Sequence, residues 1–432
     1  MSSRSICLAV VVIAAVHSAA AQDTTRIRLG VSGVSAAQPG MVVLAGPGLD
    51  SVRTIVQRDL ELSDRFSVAL LSDTAGTLTG PFDVSRLKST GLTWAVELEP
   101  AIGGVDIKLY DVTTGALRQQ ASRALDPGGA GDSRITIHRV SDQIVTWTGG
   151  VGIAATRIVF KERRGNADAI WRIDSDGANA VQISHGGITG TPAWSPDGAS
   201  VSYAEASDGR WTLYVQRLST GTRAAVPSSS PGDNYGPSFS PDGRSLAFVH
   251  GAAGGSVIET ADVARMCCAH ALTHDGKLAD NVSPAYSPDG RHIAYVSTRT
   301  GTTQIWMMDN DGTSGGQFVP SGFDPDGRPL PTYSPAWSPD GTRMAFARDT
   351  RSGGRQIYVV SIGSGQIAQL TADGRNEDPS WAPDSRHLVF KSTRSGKEQL
   401  WILDVESSAA RQIATPGTAQ YPAWSRTLGT NP

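Results

Sequence analysis

The five residues Gly312-Thr313-Ser314-Gly315-Gly316 fit the G-x-S-x-G pattern that surrounds the nucleophile of many hydrolases. That serine needs a strand before it and a helix after it, because the sharp turn between them exposes the hydroxyl. Here Ile305–Met308 precedes the motif and Gln317–Val319 follows it, and both segments look like strands. The motif is therefore interpreted as the tip of a β-hairpin, and we predict no catalytic residue in this chain.

A second group with possible chemistry consists of Cys267, Cys268, His270 and His274, because thiolate and imidazole are ligands that zinc accepts. The spacing is poor for zinc, since adjacent cysteines splay their side chains and no second C-x-x-C pair follows. In an oxidising compartment, a vicinal disulfide and two unpaired thiols are the alternatives. We predict no metal site and no cofactor.

Both motifs lie in a part of the chain that is built from a repeated unit. The unit consists of an aromatic residue, a Ser-Pro-Asp-Gly turn and a second apolar segment. Proline fixes φ at the second position of such a turn, and glycine accepts the left-handed conformation that closes the hairpin. The aromatic residues recur at intervals of 43–51 residues, and they are Trp194, Phe239, Tyr286, Trp337, Trp381 and Trp424. Two more strand signals lie between successive copies. Repeats of this length with four strands each predict a β-propeller.

The two ends of the repeated region complement each other. Each turn joins an aromatic strand to the apolar strand after it, but Ile158–Phe160 has no aromatic strand before it and Trp424 has no partner after it. We therefore predict that Tyr421–Trp424 pairs with Arg157–Phe160. This pairing would close a ring of six blades and remove an open sheet edge.

The residues before the repeats differ in character. Arg4, an apolar run and Ala19-Ala20-Ala21 predict a cleaved secretory signal over residues 1–21, with a membrane anchor as the alternative. Met41–Leu44 looks like a strand, and Leu49–Phe66 has apolar residues at helical spacing. The predicted fold class is mostly β, with a small α/β domain over residues 22–149 and a six-bladed β-propeller over residues 150–432. The predicted signal places the mature protein outside the cytoplasm.

The composition fits this fold, because 48 glycines and 24 prolines suit a chain rich in turns. The formal net charge of −3 argues against nucleic acid as the main partner.

The order of these parts resembles the TolB family of the periplasmic Tol–Pal system. The resemblance rests on the S-P-D-G repeats after an α/β domain, on the junction His138–Ile144 followed by Gly149-Gly150, and on the ending Tyr421–Ser425. It implies a non-enzymatic periplasmic scaffold that binds the lipoprotein Pal and the inner-membrane protein TolA. Such a scaffold supports outer-membrane integrity and cell division, and it reaches membranes only through its partners.

The resemblance also implies where the partners bind. The short loops before the six aromatic strands must emerge on one face, because every blade repeats the same path. On this face we expect tyrosine anchors for Pal and acidic residues that pair with a basic patch. The predicted contacts are Asn234, Tyr235, Asn281, Ser283, Tyr333, Glu377, Asp378, Gln420 and Tyr421. TolA is expected to bind Asp23–Val31, which includes Ile27 and Leu29, by strand addition. A disordered leader is the alternative for that segment.

A second hypothesis remains open at this point. The chain could be an enzyme or a carbohydrate- or peptide-binding propeller whose site lies in the central channel. Acidic and histidine residues that converge on the channel would favour this hypothesis.

Overall fold

The computed structural model describes residues 38–70, 83–126, 133–184, 187–252, 254–275, 279–320 and 322–428. The predicted signal and the segment expected to bind TolA, with Ile27 and Leu29, lie outside these residues. Within the described ranges, no helix is both long enough and apolar enough to cross a membrane.

The first part of the chain is a mixed sheet with helices on both faces. Its elements are β1 (Gly40–Ala45), α1 (Asp50–Leu62), β2 (Ser67–Ala69), a 3-10 helix (Val84–Thr90), β3 (Trp94–Ala101), β4 (Gly104–Asp111), β5 (Leu117–Ala124) and α2 (Ser133–Trp147). The strand order is β2-β1-β3-β4-β5, and β1 runs parallel to both of its neighbours. The strand at Met41–Leu44 and the helix within Leu49–Phe66 are confirmed, and they form part of the predicted α/β domain.

The core of this domain explains its layers. Val52, Val56 and Leu60 follow each other at intervals of four along α1, so they share one face of the helix. That face packs with α2 on one side of the sheet, while Leu87 of the 3-10 helix packs on the other side. Strand β1, which lies between β2 and β3, is therefore buried along its whole length.

The remainder of the described chain is a propeller of six four-stranded sheets. The first three strands of the propeller are β6 (Arg157–Arg164), β7 (Ala167–Asp174) and β8 (Val181–Gln182), and they belong to blade 6. Blade 1 contains β9 (Ile188–Trp194), β10 (Ser200–Ser207), β11 (Arg210–Arg217) and β12 (Arg223–Ala225). Blade 2 contains β13 (Asp233–Phe239), β14 (Ser245–Ala252), β15 (Gly255–Asp262) and β16 (Cys267–Ala271). Blade 3 contains β17 (Asn281–Tyr286), β18 (His292–Ser297), β19 (Gln304–Asp309) and β20 (Gly316–Gln317).

Blades 4 and 5 repeat this plan, and the last strand of the chain completes blade 6. Blade 4 contains β21 (Thr332–Trp337), β22 (Arg343–Asp349), β23 (Arg355–Ser361) and β24 (Ile367–Gln369). Blade 5 contains β25 (Asn376–Trp381), β26 (His387–Ser392), β27 (Gln399–Asp404) and β28 (Ala410–Ile413). The final strand, β29 (Thr418–Trp424), pairs with β6 and thereby completes blade 6. The predicted closure of the ring is confirmed, because Trp424 lies opposite Ile158.

The S-P-D-G hairpins have a shared local chemistry, shown here for Ser338. Its hydroxyl donates to Asp340 over 2.5 Å and accepts a hydrogen bond from the backbone N–H of Arg343 over 2.9 Å. The N–H of Gly341 donates to the carbonyl of Ser338, and Gly341 has the left-handed φ of 73° that closes the turn. In this hairpin serine, aspartate and glycine therefore each have a role in the turn itself.

The two ends of the propeller differ in their surroundings. We call the end that carries the S-P-D-G hairpins the hairpin face, and the end at which the innermost strands β9, β13, β17, β21, β25 and β29 begin the mouth face. The α/β domain packs on the hairpin face, where Arg58 donates to the carbonyl of Asp176 over 2.7 Å and Arg134 forms an ion pair with the Asp176 carboxylate. The mouth face lies at the opposite end, away from these domain contacts.

The connection between the domains is tied down by Asp142 of α2. Its two carboxylate oxygens accept the backbone N–H groups of Ala154 and Ala155 over 2.8 and 2.9 Å. A side chain at Gly152 would place its Cβ 2.2 Å from Asp142 Oδ1, so this approach requires glycine. Burial raises the pKa of Asp142 to about 6, against these two hydrogen bonds.

Candidate partner-binding face

Each innermost strand contains a β-bulge just before its proline. In five blades the residue before the proline has a left-handed φ of 49–62°, and these residues are Gly236, Ser283, Ser334, Asp378 and Tyr421. This conformation costs of order 1–2 kcal/mol for a residue other than glycine. The bulge breaks the regular pairing of the innermost strand close to the mouth face.

Residues at this repeated position contact the neighbouring blade. Ser334 donates a hydrogen bond to Asp378 Oδ1 over 3.0 Å, and Thr191 accepts one from the backbone N–H of Gly236 over 3.0 Å. In each pair the two residues occupy equivalent places in adjacent blades. These hydrogen bonds therefore join the bulges of blades 1 and 2 and the bulges of blades 4 and 5.

The prediction that Asn234 and Asn281 lie in loops is wrong. Both lie in innermost strands, and they are 7% and 0% exposed. Asn234 Oδ1 lies 2.8 Å from His250 Nδ1, and Asn281 donates to Asp275 Oδ1 over 2.9 Å. The innermost strands extend further towards the mouth face than the turn pattern indicates, so these amides are engaged in internal hydrogen bonds.

The three predicted tyrosine anchors remain partly accessible at the mouth face. Tyr235 and Tyr333 are half-buried, and Tyr421 is 36% exposed. The hydroxyl of Tyr333 donates to Asp349 over 3.3 Å, and the guanidinium carbon of Arg355 lies 3.6 Å from the centre of its ring. Tyr333 is therefore held in one orientation, which reduces the entropy that it would lose on contact with a partner.

Glu377 does not lie free at the mouth face, as the prediction of a pairing with a partner's basic patch requires. It is 8% exposed and forms ion pairs with Arg355 over 2.7 Å, with Arg375 over 2.8 Å and with Lys391. Burial by itself raises the pKa of Glu377, but the hydrogen bond and charge of Lys391 and the two arginines bring this pKa below its ordinary value. Glu377 is thus the charged centre of an internal network.

The neighbouring Asp378 is in a less favourable environment. Its Oδ1 accepts the hydrogen bond from Ser334, while its Oδ2 is buried and has no hydrogen-bond partner among the described residues. Burial raises the pKa of Asp378 to about 6. An incompletely satisfied carboxyl beside the channel is a common feature of functional sites.

Gln420 connects this network to two residues that the sequence analysis missed. Its side-chain amide donates to Glu398 over 2.5 Å, and Glu398 lies 3.3 Å from Lys391. Lys391 follows the buried Phe390 in β26, at a position where Tyr203, Phe248, Tyr295 and Phe346 are followed by alanine or valine. Phe160 of blade 6 is also followed by a lysine, Lys161, so this position alone does not single out Lys391 in the sequence. Ser283, in turn, is half-buried at the bulge of β17.

A cavity of 510 Å³ opens near the first of the three tyrosines, lined by residues of blades 1 and 2 and of the segment before blade 3. Its lining includes Tyr235, Arg210, Asp233, Ser256 and Asp280. Asp280 accepts a hydrogen bond from Ser256 over 3.0 Å. The mouth face therefore combines an aromatic ring, polar groups and a recess, which are the components of a protein-binding surface.

The opposite end of the channel has a different lining. A cavity of 1230 Å³ is bordered by the six aromatic residues of the repeats, by prolines of the hairpins and by Asp197 and Asp242. Each of these two acids accepts a hydrogen bond from the serine of its own hairpin. The described residues that line this cavity include no histidine, so the convergence that would favour a channel enzyme is not found there.

The motifs with possible chemistry take structural places. Ser314 lies in the turn between β19 and β20 with a φ of 59°, so the G-x-S-x-G motif is a hairpin tip, as predicted. Cys267 and Cys268 form a vicinal disulfide, which answers the choice between a disulfide and unpaired thiols. Zinc would need the reduced thiolates, so the disulfide form does not provide that site.

Two clusters of acids around a histidine lie at the interface between the domains. One contains Asp59, His138 and Asp176, and the other contains Asp64, His387 and Asp404. In both clusters arginines already neutralise carboxylates, since Arg134 pairs with Asp176 and Arg386 pairs with Asp404 over 2.7 Å. We therefore interpret both as ion-pair networks that join the domains.

The architecture defines this chain as a six-bladed β-propeller with an N-terminal α/β domain. Residues 145–323 and 328–429 match the family described as the TolB beta propeller domain, and the chain belongs to the TolB family.

Relatives of known sequence carry the same name. The chain is 34% identical over 233 residues to the Tol-Pal system protein TolB of Methylococcus capsulatus, covering 50% of this chain and 54% of that protein. It is 31% identical over 217 residues to that of Albidiferax ferrireducens, covering 46% and 49%. The matched region spans about half the length of these curated relatives.

A solved structure extends the likeness in fold to both domains. The crystal structure of TolB from Acinetobacter baumannii superposes with a TM-score of 0.78 at 24% identity, over 92% of this chain and 99% of that one. The α/β domain and the propeller therefore occur together in a solved structure of similar fold.

Proposed function

We propose that this protein is a non-enzymatic scaffold of the Tol–Pal system in the periplasm. It binds the lipoprotein Pal over the mouth face and TolA through the segment that contains Ile27 and Leu29. By linking these partners it supports outer-membrane integrity and cell division. Membership of the TolB family motivates the choice of partners.

The arrangement of the mouth face supports the Pal proposal. Tyr235, Tyr333 and Tyr421 present partly accessible rings, and tyrosine is enriched among the residues that dominate binding energy at protein interfaces. The α/β domain occupies part of the other end of the propeller, through its contacts with Asp176 and His387. The mouth face is thus the end at which a large partner can dock without displacing a domain.

The roles of the predicted contacts differ within this proposal. Tyr235, Tyr333, Tyr421, Gln420 and Ser283 contact Pal directly. Asn234 and Asn281 hold the strand ends behind that surface, while Glu377 and Asp378 set its charge. The buried members are positioning residues, because they act through their neighbours.

The Pal proposal is tested by titrating purified Pal into the protein in a calorimeter. Replacing Tyr235, Tyr333 and Tyr421 together by alanine should weaken binding by at least about 1–2 kcal/mol per anchor. The matched control replaces Tyr214 and Tyr358, which are half-buried in the third strands of blades 1 and 4, and should leave the affinity unchanged. Unaltered Pal binding by the triple variant would refute the assignment of this face.

The TolA proposal has its own test. Deletion of residues Gln22–Gly33 should abolish TolA binding and leave both Pal binding and the unfolding temperature of the propeller unchanged. Retained TolA binding would contradict the proposal. A parallel screen of glycosides and peptides separates the scaffold from the channel-enzyme hypothesis, since turnover of any of them would favour the enzyme.

A further inference from the structure

The hairpin of blade 5 departs from the pattern of the other hairpins. In blades 1 to 4 a serine donates to the aspartate two residues later over 2.5–2.6 Å, in the pairs Ser195–Asp197, Ser240–Asp242, Ser287–Asp289 and Ser338–Asp340. In blade 5 the serine is replaced by Ala382, and Ser385 takes the left-handed place of the glycine with a φ of 56°. Asp384 therefore lacks the usual donor.

A histidine replaces the serine as the hydrogen-bond partner of this aspartate. Asp384 Oδ2 lies 2.7 Å from His387 Nδ1, and the His387 side chain is 0% exposed. The other ring nitrogen, Nε2, lies 3.1 Å from Asp64 Oδ2, which belongs to the α/β domain just after α1. The imidazole ring thus bridges a carboxylate of the propeller and a carboxylate of the other domain.

This geometry requires a charged ring. A neutral imidazole has one N–H group and one lone pair, so it can donate to only one of two carboxylates. The second carboxylate would then face a lone pair of the fully buried ring instead of a donor. Only the imidazolium form donates to both Asp384 and Asp64.

The charges around the ring favour the same state. Arg411 donates to Asp64 Oδ2 over 3.0 Å, and Arg386 donates to both oxygens of Asp404 and lies 3.2 Å from Glu406. With Asp64 and Asp384, four carboxylates meet two guanidinium groups. A protonated His387 reduces this excess of negative charge.

Burial opposes protonation of His387, and Arg411 opposes it too. The hydrogen bonds and charges of Asp384 and Asp64 outweigh both effects, so the pKa of His387 lies above its ordinary value.

We propose that His387 is a proton-dependent clasp that holds the α/β domain on the hairpin face. The clasp is fully closed below pH about 6.5, the ordinary value for histidine, and it weakens as the pH rises through the pKa of the folded state. A single proton changes the closing equilibrium by at most about tenfold per pH unit. The domains therefore become more independent in alkaline medium.

The chain contains a matched control for this residue. His292 occupies the same position in the hairpin of blade 3, but Ser287 there keeps its hydrogen bond to Asp289 over 2.6 Å. The side chain of His292 is 39% exposed, and its Nδ1 lies 3.1 Å from Asp309 of its own blade. Its substitution removes a histidine–aspartate pair without touching the other domain.

The protonation state is measured first, in the unaltered protein. Histidine ring nitrogens labelled with ¹⁵N are titrated by NMR, and the His387 signals are assigned by their loss in the His387→Gln variant. We expect both nitrogens to be protonated at pH 7, with a midpoint above 6.5. A neutral ring at pH 6 would overturn the proposal. If His387→Gln folds poorly, the His387 signals can still be identified by elimination, once the His292 signals are assigned with His292→Gln and the other histidines are assigned.

The coupling of the domains is measured second, by hydrogen exchange of the interface amides around Asp64. Wild type, His387→Gln and His292→Gln are compared at the same pH, so that the intrinsic exchange chemistry cancels. We expect wild type and His292→Gln to lose protection together as the pH rises from 6 to 9. In His387→Gln the interface amides should be less protected at pH 6, and their protection should change with pH much less than in wild type.

His138 is a second histidine near this interface, 2.8 Å from Asp59. If protection depends on pH equally in His387→Gln and in wild type, another group causes the effect and the clasp is refuted.

Discussion

The indole N–H of Trp424 donates to the hydroxyl of Thr156 over 2.7 Å, although 268 positions separate the two residues. Thr156 directly precedes the first propeller strand, and Trp424 ends the last one. The hydrogen bond is fully buried and accompanies the pairing of β29 with β6. Blade 6 therefore depends on contacts between the two ends of the propeller, whereas the other blades are built from consecutive strands.

Ring closure makes the last strand unusually important for stability. We predict that Trp424→Ala lowers the free energy of unfolding by about 3–5 kcal/mol, the usual cost of truncating a buried tryptophan. Trp337→Ala is the matched control, because Trp337 has the same position in blade 4 and its indole donates to the carbonyl of Ala285. Trp337 is half-buried and its blade is continuous in sequence, so Trp337→Ala should lower the free energy of unfolding by less than Trp424→Ala does. Urea unfolding of both variants checks this, and an equal or larger loss for Trp337→Ala would contradict it.

The vicinal disulfide should contribute little to stability. A disulfide stabilises chiefly by closing a loop in the unfolded chain, and Cys267 and Cys268 are adjacent in sequence, so almost no loop is closed. We predict that the double substitution Cys267→Ala and Cys268→Ala changes the free energy of unfolding by less than about 1 kcal/mol. Thermal unfolding with and without reductant gives the same comparison in the unaltered chain. A loss of several kcal/mol would mean that the disulfide fixes the edge strand β16.

The sequence predicts the propeller well because its signals are local and repeated. In blades 1 to 4 the serine and the aspartate of each hairpin form hydrogen bonds within a few residues, and the glycine has the left-handed φ, so the motif predicts the turn there. Ring closure was also predictable, since one strand without a partner at each end leaves a single way to complete the sixth blade. Val84, Leu87 and Leu92 have helical spacing, but a pattern this short does not distinguish an α-helix from the 3-10 helix that is found at Val84–Thr90.

The site was less predictable because its members are distant in sequence. Asn234 and Asn281 look like exposed turn residues, and only the fold reveals that the strands continue past them. Lys391, Glu398 and Glu377 meet through three different strands or turns, so no spacing pattern joins them. The role of His387 depends on Asp64 of another domain, so the sequence of its own hairpin, in which alanine replaces the serine, does not reveal it.

The ion pairs of Glu377 lead to a prediction about stability. Glu377→Gln removes the shorter of the two ion pairs of the buried Lys391 ammonium group and leaves the longer contact to Glu398. Breaking a buried pair in this way costs about 3 kcal/mol. Glu398→Gln is the control, because Glu398 is 31% exposed on its side chain and should cost less. The pKa of Glu377 is lowered in the folded protein, so its contribution is present above pH about 4.3 and is lost as the pH falls further. The difference in the free energy of unfolding between wild type and Glu377→Gln should therefore be smaller at pH 3 than at pH 7.

Asp378 gives the opposite dependence on pH. Its pKa is raised to about 6, so between pH about 3.9 and 6 the unfolded chain releases a proton that the folded protein retains, and folding becomes less favourable as the pH rises. Asp378→Asn keeps an oxygen that can accept from Ser334 and removes this penalty. We predict that the variant is more stable than wild type by about 1–3 kcal/mol at pH 7.5 and equally stable at pH 3.5. Asp311→Asn, at an exposed hairpin tip, should bring no such gain.

A residue kept at a cost in stability points to a role in binding, so we expect Asp378→Asn to bind Pal more weakly than wild type despite its greater stability. A variant that is no more stable at pH 7.5 would contradict the account of the buried carboxyl. A variant that is more stable but binds Pal equally well would show that the charge of Asp378 has no role in Pal binding.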